Sequence, residues 1–259
     1  PWGIILFSRN IESFSQLTKL IESIRKVMKD NKYPILIDEE GGSVRRLSKF
    51  INNKIYSQKL FGDMFKVNNS SAITLYKIYI NNICKVFKSI GININTSPVL
   101  DILKKKTNSG IGSISYAMDR NIVSKLGKTA VKTYNKNKVA TVIKHLPGHG
   151  SALSDSHKKL PVVKDSFTKL KKNDFFCFKD MNSFFGMTAH ILYSAIDSKN
   201  VSTHSKIVIK RIIRNEIGFK GILISDDISM KALRYDLITN ANNSLQAGCN
   251  LVMYCAGNY

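Results

Sequence analysis

Polar residues able to carry out acid–base or nucleophilic chemistry gather directly after short apolar segments of this sequence. These groups are Asp38–Gly42, Asp101, Lys144–Gly150 with Asp155–His157, His190, and Ser225–Asp227. Four of the five histidines belong to them: His145, His149, His157 and His190. Histidines scattered through a core or a surface would not cluster in this way. Imidazoles beside carboxylates are typical of general acid–base and nucleophilic catalysis.

Each group also has a structural interpretation when it is taken alone. Asp38–Gly42 is compatible with a solvated turn, and Asp226 with Asp227 is compatible with a helix N-cap, where Asp accepts from free N–H groups. His145 and His149 are compatible with hydrogen bonds to loop backbone. The shared position of the groups, each after an apolar run, favours the catalytic interpretation.

The elements that must position these residues are seven continuous apolar runs alternating with helical patterns. The runs lack polar alternation and are typical of strands buried on both faces. They are Gly3–Phe7, Pro34–Ile37, Ile92–Ile94, Val139–Ile143, Phe185–Ala189, Gly221–Ser225 and Asn250–Tyr254. Parallel strands joined by helices form a doubly wound sheet or a barrel. In both folds chemistry lies at the carboxyl ends of the strands.

Apolar residues at helical spacing predict three helices, each with one buried face and with a residue that marks where the helix begins or ends. Ser13 with Gln16 is typical of a capping box that begins the first helix, and Gly91 and Gly218 are typical stops of the other two. The expected buried faces are Leu17, Leu20, Ile21, Ile24, Val27 and Met28; Leu75, Ile78, Tyr79, Ile83, Val86 and Phe87; and Val208, Ile212, Ile213 and Ile217.

Composition narrows the classes of partner. The length suits one domain over residues 1–259, since about 250 residues is usual for a barrel. The formal net charge is +22, which would suit an anionic partner. The basic residues are scattered and lack interleaved aromatics, so we predict no specific nucleic-acid partner. Four cysteines without CxxC spacing indicate a reduced, cytoplasmic environment, and we expect no membrane span because no apolar run approaches roughly 18 residues.

Four motifs in this order resemble family 3 glycoside hydrolases, and among them the bacterial β-N-acetylhexosaminidases of cell-wall (peptidoglycan) recycling. The motifs are Asp38–Arg46, Lys144–Gly150, Asp155–His157 and Ser225–Met230. The KHxPGHG-type run followed closely by Asp-Ser-His is highly specific, and the resemblance covers essentially the whole chain. It implies an α/β fold of the (β/α)8 TIM-barrel type that removes terminal N-acetylglucosamine from muropeptides with retention of configuration. We expect neither a cofactor nor a metal.

The resemblance also implies a role for individual residues. Asp226 matches the nucleophile, and His157 matches the general acid/base with Asp155 as its partner. The positions that hold the sugar are Asp38, Arg46, Lys144 and His145. A retaining hydrolase needs one carboxylate to form the glycosyl-enzyme intermediate and one group to protonate the leaving oxygen. A histidine titrates near neutrality, so it can alternate between acid and base.

Two features depart from the family pattern. Ile114 stands where a sugar-binding Arg is expected. The family's first strand–helix unit is expected upstream of Pro1 and its last segment beyond Tyr259, so we predict a barrel lacking both. A degenerate relative with weak or no activity is therefore the main alternative.

Two further alternatives remain. A metal hydrolase would use the ligands His145, His149, His157 and Asp226, although the cation of the adjoining Lys144 would compete with a metal. A nucleic-acid-binding protein would show binding that weakens steeply with salt.

Overall fold

A computed structural model describes residues 1–104, 114–152 and 160–257. Within these ranges the strands are β1 (Ile4–Leu6), β2 (Ile35–Ile37), β3 (Ile94–Asn95), β4 (Ala140–Leu146), β5 (Val162–Val163), β6 (Phe185–Thr188), β7 (Leu192–Tyr193), β8 (Ile222–Asp227) and β9 (Leu251–Met253). Seven of them form one parallel sheet in the order β1-β2-β3-β4-β6-β8-β9. These seven correspond to the predicted apolar runs. β5 and β7, which the sequence did not predict, form a separate parallel pair.

The three predicted helix limits, at Ser13, Gly91 and Gly218, agree with the structure. The helices are α1 (Phe14–Met28), α2 (Gln58–Val67), α3 (Asn69–Ile90), α4 (Arg120–Lys136), α5 (Phe167–Lys172), a π-helix (Val208–Glu216) and α6 (Leu237–Ala247). Ser13 Oγ accepts from the N–H of Gln16, which confirms the predicted cap, but the Gln16 side chain accepts from Glu12 rather than from Ser13. Gly91 and Gly218 follow their helices with φ of +92° and +79°. No helix in the described ranges is long and apolar enough to cross a bilayer.

The predicted buried faces hold only in part. Val27 at the end of α1 is 77% exposed. In α3 the prediction was wrong for Leu75 and Ile78, which are exposed. That helix carries two adjacent apolar stripes, and the one facing the core is Ala72, Tyr76, Ile80, Ile83, Cys84, Phe87 and Ile90. The predicted residues of the π-helix pattern are all buried: Val208, Ile212, Ile213 and Ile217.

The sheet is curled into an open barrel. Its inner face carries a separate apolar cluster: Leu36, Ile94, Val142, Phe185, Met187 and Ile224. The edge strands β1 and β9 line one cavity of about 600 Å³ together with Leu36 and Ile224 of the inner face. The two edges therefore face each other across the cavity without pairing. This arrangement confirms the predicted (β/α)8-type barrel, with seven strands in the described ranges where a closed barrel has eight.

Candidate active site

The carboxyl ends of three parallel strands bring four of the predicted site residues to one rim. Asp38 follows β2, Lys144 and His145 lie near the end of β4, and Asp226 lies near the end of β8. Arg46 reaches the same rim from the loop after β2, since its guanidinium contacts Asp38. The predicted acid/base His157 and its partner Asp155 fall outside the described residues.

Lys144 lies between two carboxylates. Its ammonium is 3.2 Å from Asp38 Oδ1 and 2.6 Å from Glu40 Oε1, and it donates to the hydroxyl of Thr96 at 3.2 Å. Lys144 and Glu40 are each only 5% exposed. Burial lowers the pKa of Lys144, but the two carboxylates outweigh burial and raise that pKa overall. The ammonium therefore stays charged and fixes both carboxylates in place.

Asp38 is held from two sides. Its Oδ1 accepts from Lys144 and from the hydroxyl of Thr96, and its Oδ2 accepts from Arg46 Nη2 at 3.0 Å. Burial raises the pKa of Asp38, but Lys144 and Arg46 outweigh it and hold this pKa well below its usual value. Asp38 is therefore an ionised acceptor, suited to the hydroxyl groups of a sugar.

The loop that delivers Arg46 is built around the buried carboxylate of Glu39. This carboxylate accepts from the N–H of Arg46 at 2.8 Å, from the N–H of Leu47 at 2.9 Å and from the Asn53 amide at 2.6 Å. Gly41 makes the turn with φ of +81°, at a point where a Cβ would lie 2.1 Å from a backbone oxygen. The solvated-turn interpretation of this motif is therefore wrong, because its carboxylates organise the rim.

His145 is oriented by a buried carboxylate on the neighbouring segment. Its Nδ1 is 2.7 Å from Asp101 Oδ2, and Asp101 also accepts from the N–H of His149 at 2.5 Å. Burial lowers the pKa of His145, but the carboxylate of Asp101 outweighs burial and raises it. With Nδ1 engaged by Asp101, His145 has Nε2 left for a ligand.

Asp226 is ionised at neutral pH. Its Oδ1 accepts from the N–H of Asp227 at 2.8 Å. Burial raises the pKa of Asp226, but the nearby His190, His145 and Lys144 together with that N–H outweigh burial and lower it. The helix N-cap interpretation of the pair is wrong, because α6 is capped by Asp236. Asp227 instead accepts from the N–H groups of Ser229 and Cys255.

His190 is a buried ring close to Asp226, and its protonated form lowers the pKa of that carboxylate. Its Nε2 is 3.0 Å from the carbonyl of Asp227, which can only accept, so Nε2 carries the proton. Its Nδ1 lies 2.7 Å from the Thr203 hydroxyl, which also contacts the Ala189 carbonyl at 3.2 Å. Burial lowers the pKa of His190. His190 therefore fixes the backbone next to Asp226.

Sequence reasoning gave no role to several residues that hold these groups. Glu40, Thr96 and Asp101 are the partners of Lys144, Asp38 and His145. The only signal was that Asp101 and Glu40 follow apolar runs. Their partners, His145 and Lys144, are remote in sequence and are brought near them by the neighbouring strands. No group of three or more His, Cys, Asp or Glu able to hold a metal occurs in the described ranges.

Ile114 lies at the edge of the described part of the chain. Its side chain is 8% exposed, and its carbonyl accepts from the buried amide of Gln58 at 2.6 Å. The position is therefore held by its backbone and adds no charge to the rim.

Comparison with known proteins gives consistent matches. The model of the family described as "Glycosyl hydrolase family 3 N terminal domain" matches residues 2–259. A β-hexosaminidase from Nitrosomonas eutropha is 33% identical over 258 residues, covering 98% of this chain and 73% of that protein. A β-hexosaminidase from Methylobacillus flagellatus is 31% identical over 260 residues, with the same coverage. Native NagZ from Neisseria gonorrhoeae superposes with a TM-score of 0.88 at 31% identity, covering 98% of this chain and 74% of that one.

Proposed function

The chain belongs to the glycosyl hydrolase family 3 N-terminal domain family, and on that premise we propose that it hydrolyses terminal β-N-acetylglucosaminides with retention of configuration. It is a glycoside hydrolase of the β-N-acetylhexosaminidase type, as its relatives are named. The observation that carries the proposal is the ionised Asp226, on the same rim as the charged group of Asp38, Arg46 and Lys144. Retention of configuration is inferred from the family resemblance.

Asp226 is the proposed nucleophile. The reaction places one carboxylate oxygen on the anomeric carbon as the glycosidic bond breaks, so the carboxylate must be ionised beforehand. Its lowered pKa supports this requirement. One of its oxygens, Oδ1, accepts from the N–H of Asp227, which leaves Oδ2 for attack.

His157 is the proposed acid/base, with Asp155 orienting its ring. The support is the resemblance of Asp155-Ser156-His157 to the family motif and its place in the chain between β4 and β5. In the first step His157 donates a proton to the leaving oxygen, and in the second it takes one from water. A paired carboxylate stabilises the protonated ring.

The sugar is proposed to be held by Asp38, Arg46, Lys144 and His145. Asp38 offers an anionic acceptor, while Arg46 and Lys144 offer donors fixed by Asp38 itself. His145 adds an oriented imidazole close enough to Asp226 for their charges to interact. Groups held this rigidly orient the sugar without having to be ordered at the moment of binding.

Fragments of peptidoglycan that end in N-acetylglucosamine are the proposed natural substrates. A structure of NagZ from Neisseria gonorrhoeae holds N-trifluoroacetyl-D-glucosamine, and its fold matches this chain with a TM-score of 0.88. The net charge of +22 also suits the anionic groups of such fragments.

Release of a chromogenic aglycone from N-acetyl-β-glucosaminide tests the proposal. The full chain is expected to turn over, and the Asp226→Asn variant is expected to lose at least about 10³-fold in kcat. A wild-type rate no higher than that of Asp226→Asn would contradict the proposal.

A further inference from the structure

A second buried carboxylate, outside the sugar-holding group, contacts residues that directly precede the proposed acid/base motif in the chain. Asp174 is 1% exposed and follows α5. Its two oxygens are 3.1 and 3.0 Å from the hydroxyl of Ser151. Ser151 stands two residues before the segment 153–159, which contains Asp155 and His157. Nothing in the proposed chemistry of the sugar uses Asp174.

Lys104 and Asp165 join Ser151 and Asp174 in one ionic network. Lys104 Nζ contacts the Ser151 hydroxyl and lies 3.4 Å from Asp165 and 3.5 Å from Asp174. The Ser151 hydroxyl is also 3.2 Å from Asp165 Oδ2. Asp165 follows β5 and therefore lies after the 153–159 segment in the chain. We call the residues before this segment, at Ser151, the entry stem and those after it, at Asp165, the exit stem. The network connects the two stems directly.

Further contacts hold the chain on both sides of residues 153–159. The hydroxyl of Tyr193 in β7 donates to the carbonyl of Gly148, and β7 pairs with β5 on the exit stem. Gly148 has φ of +137°, and a Cβ at this position would lie 2.8 Å from the Asp174 side chain. The entry stem is therefore packed directly against Asp174, with no room for a larger residue.

We propose that Asp174, acting through Ser151 and Lys104, is a positioning residue for proton transfer. It fixes the residues on either side of the 153–159 segment, Ser151 before it and Asp165 after it, and this segment contains His157. This inference rests on the proposed function. Proton transfer depends on placement within a fraction of an ångström, and a displacement of about 1 Å can cost on the order of a hundredfold in rate. Sugar binding through Asp38 and Lys144 uses separate contacts and is expected to be unaffected.

The test compares two N-acetyl-β-glucosaminides that differ in leaving group. A phenyl glycoside needs protonation of its leaving oxygen, whereas a 2,4-dinitrophenyl glycoside hardly does. For Asp174→Asn we expect kcat/KM on the phenyl substrate to fall about ten- to hundredfold, and on the dinitrophenyl substrate by less than about threefold. Ser151→Ala should show the same pattern more weakly. Inhibition by N-acetylglucosamine should stay unchanged in both variants.

Two controls separate positioning from general damage. Ser151→Thr keeps the hydroxyl and should retain the wild-type ratio between the two substrates. Glu216→Gln removes a carboxylate that bridges Lys171 and Lys179 elsewhere on the surface, and it should leave both rates near wild type. If Asp174→Asn does not fold, the pair Ser151→Ala and Ser151→Thr decides alone. An equal fall on both substrates, or no fall, overturns the inference.

The variant His157→Ala distinguishes failure of this inference from failure of the proposed function. If it loses the phenyl substrate selectively while Ser151→Ala and Asp174→Asn do not, only the positioning role is wrong. If wild-type turnover is absent, or if His157→Ala affects both substrates equally, the acid/base assignment is wrong and the inference falls with it.

Discussion

Replacing Lys144 with methionine tests whether its ammonium neutralises the buried carboxylates of the rim. Methionine fills a similar volume and removes only the charge and the donors. The variant leaves Glu40, which is 5% exposed, without the cation 2.6 Å from its Oε1. Asp38 keeps its contact with Arg46, so Glu40 bears most of the loss.

The expected cost depends on pH. Removing one partner of a buried ion pair costs about 3–5 kcal/mol. Burial already raises the pKa of Glu40 against the opposing effect of Lys144, and without the ammonium this pKa rises further. Folded Lys144→Met then holds a proton that the unfolded chain, with a Glu pKa of about 4.3, has released. Its free energy of unfolding must therefore fall as pH rises from 5 towards 8, by at most about 1.4 kcal/mol per pH unit.

Urea unfolding at pH 5 and pH 8 measures this dependence. We expect Lys144→Met to lose about 3–5 kcal/mol at pH 8 and about 2 kcal/mol less at pH 5. The double variant with Glu40→Gln should regain much of the lost stability and should lose most of the added pH dependence. Lys59→Met, which removes an exposed pair with Asp63, should cost less than about 1 kcal/mol. Equal losses at both pH values, or a double variant less stable than Lys144→Met, would refute the reasoning.

Three other substitutions probe the rim and its scaffold. Asp101→Asn should lower the pKa of His145 from its raised value, which NMR titration would show, and an unchanged titration would exclude the pairing. The same variant should cost about 1.5–3 kcal/mol of stability. This cost should be largest at about pH 6 and shrink above the raised pKa, where wild-type His145 is neutral. Gly62→Ala would place a Cβ 1.8 Å from the Tyr116 carbonyl and should lower the free energy of unfolding by about 3 kcal/mol. Gly218→Ala, at φ of +79° with open space around it, should lower it by about 1 kcal/mol. The reverse order in urea unfolding would contradict this packing.

The strands of the barrel were predictable because burial on both faces leaves continuous apolar runs. The seven runs appear as neighbouring parallel strands in a single sheet. The short pair Val162–Val163 and Leu192–Tyr193 was not predictable, since two residues carry no periodicity. The π-helical form of Val208–Glu216 was not predictable either, because its apolar spacing also fits an α-helix.

The site residues were predictable in kind but not in their pairing. Parallel strands place their carboxyl ends on one edge, which brings Asp38, Lys144 and Asp226 to the rim. The salt bridge of Lys144 with Glu40 and the hydrogen bond of His145 with Asp101 depend on the register of adjacent strands. That register follows from packing of the whole sheet, which no local motif encodes.

Trapping of the glycosyl-enzyme intermediate tests the central claim most directly. A fluorinated N-acetylglucosaminide with an activated leaving group slows the second step, so the adduct accumulates and can be located by mass spectrometry of peptides. We predict an adduct on Asp226, in the peptide that contains Ser225-Asp226-Asp227, and none in Asp226→Asn. Rapid turnover with an adduct on another residue, or with an inverted anomeric product, would contradict the assignment of Asp226 as the nucleophile of a retaining hydrolase.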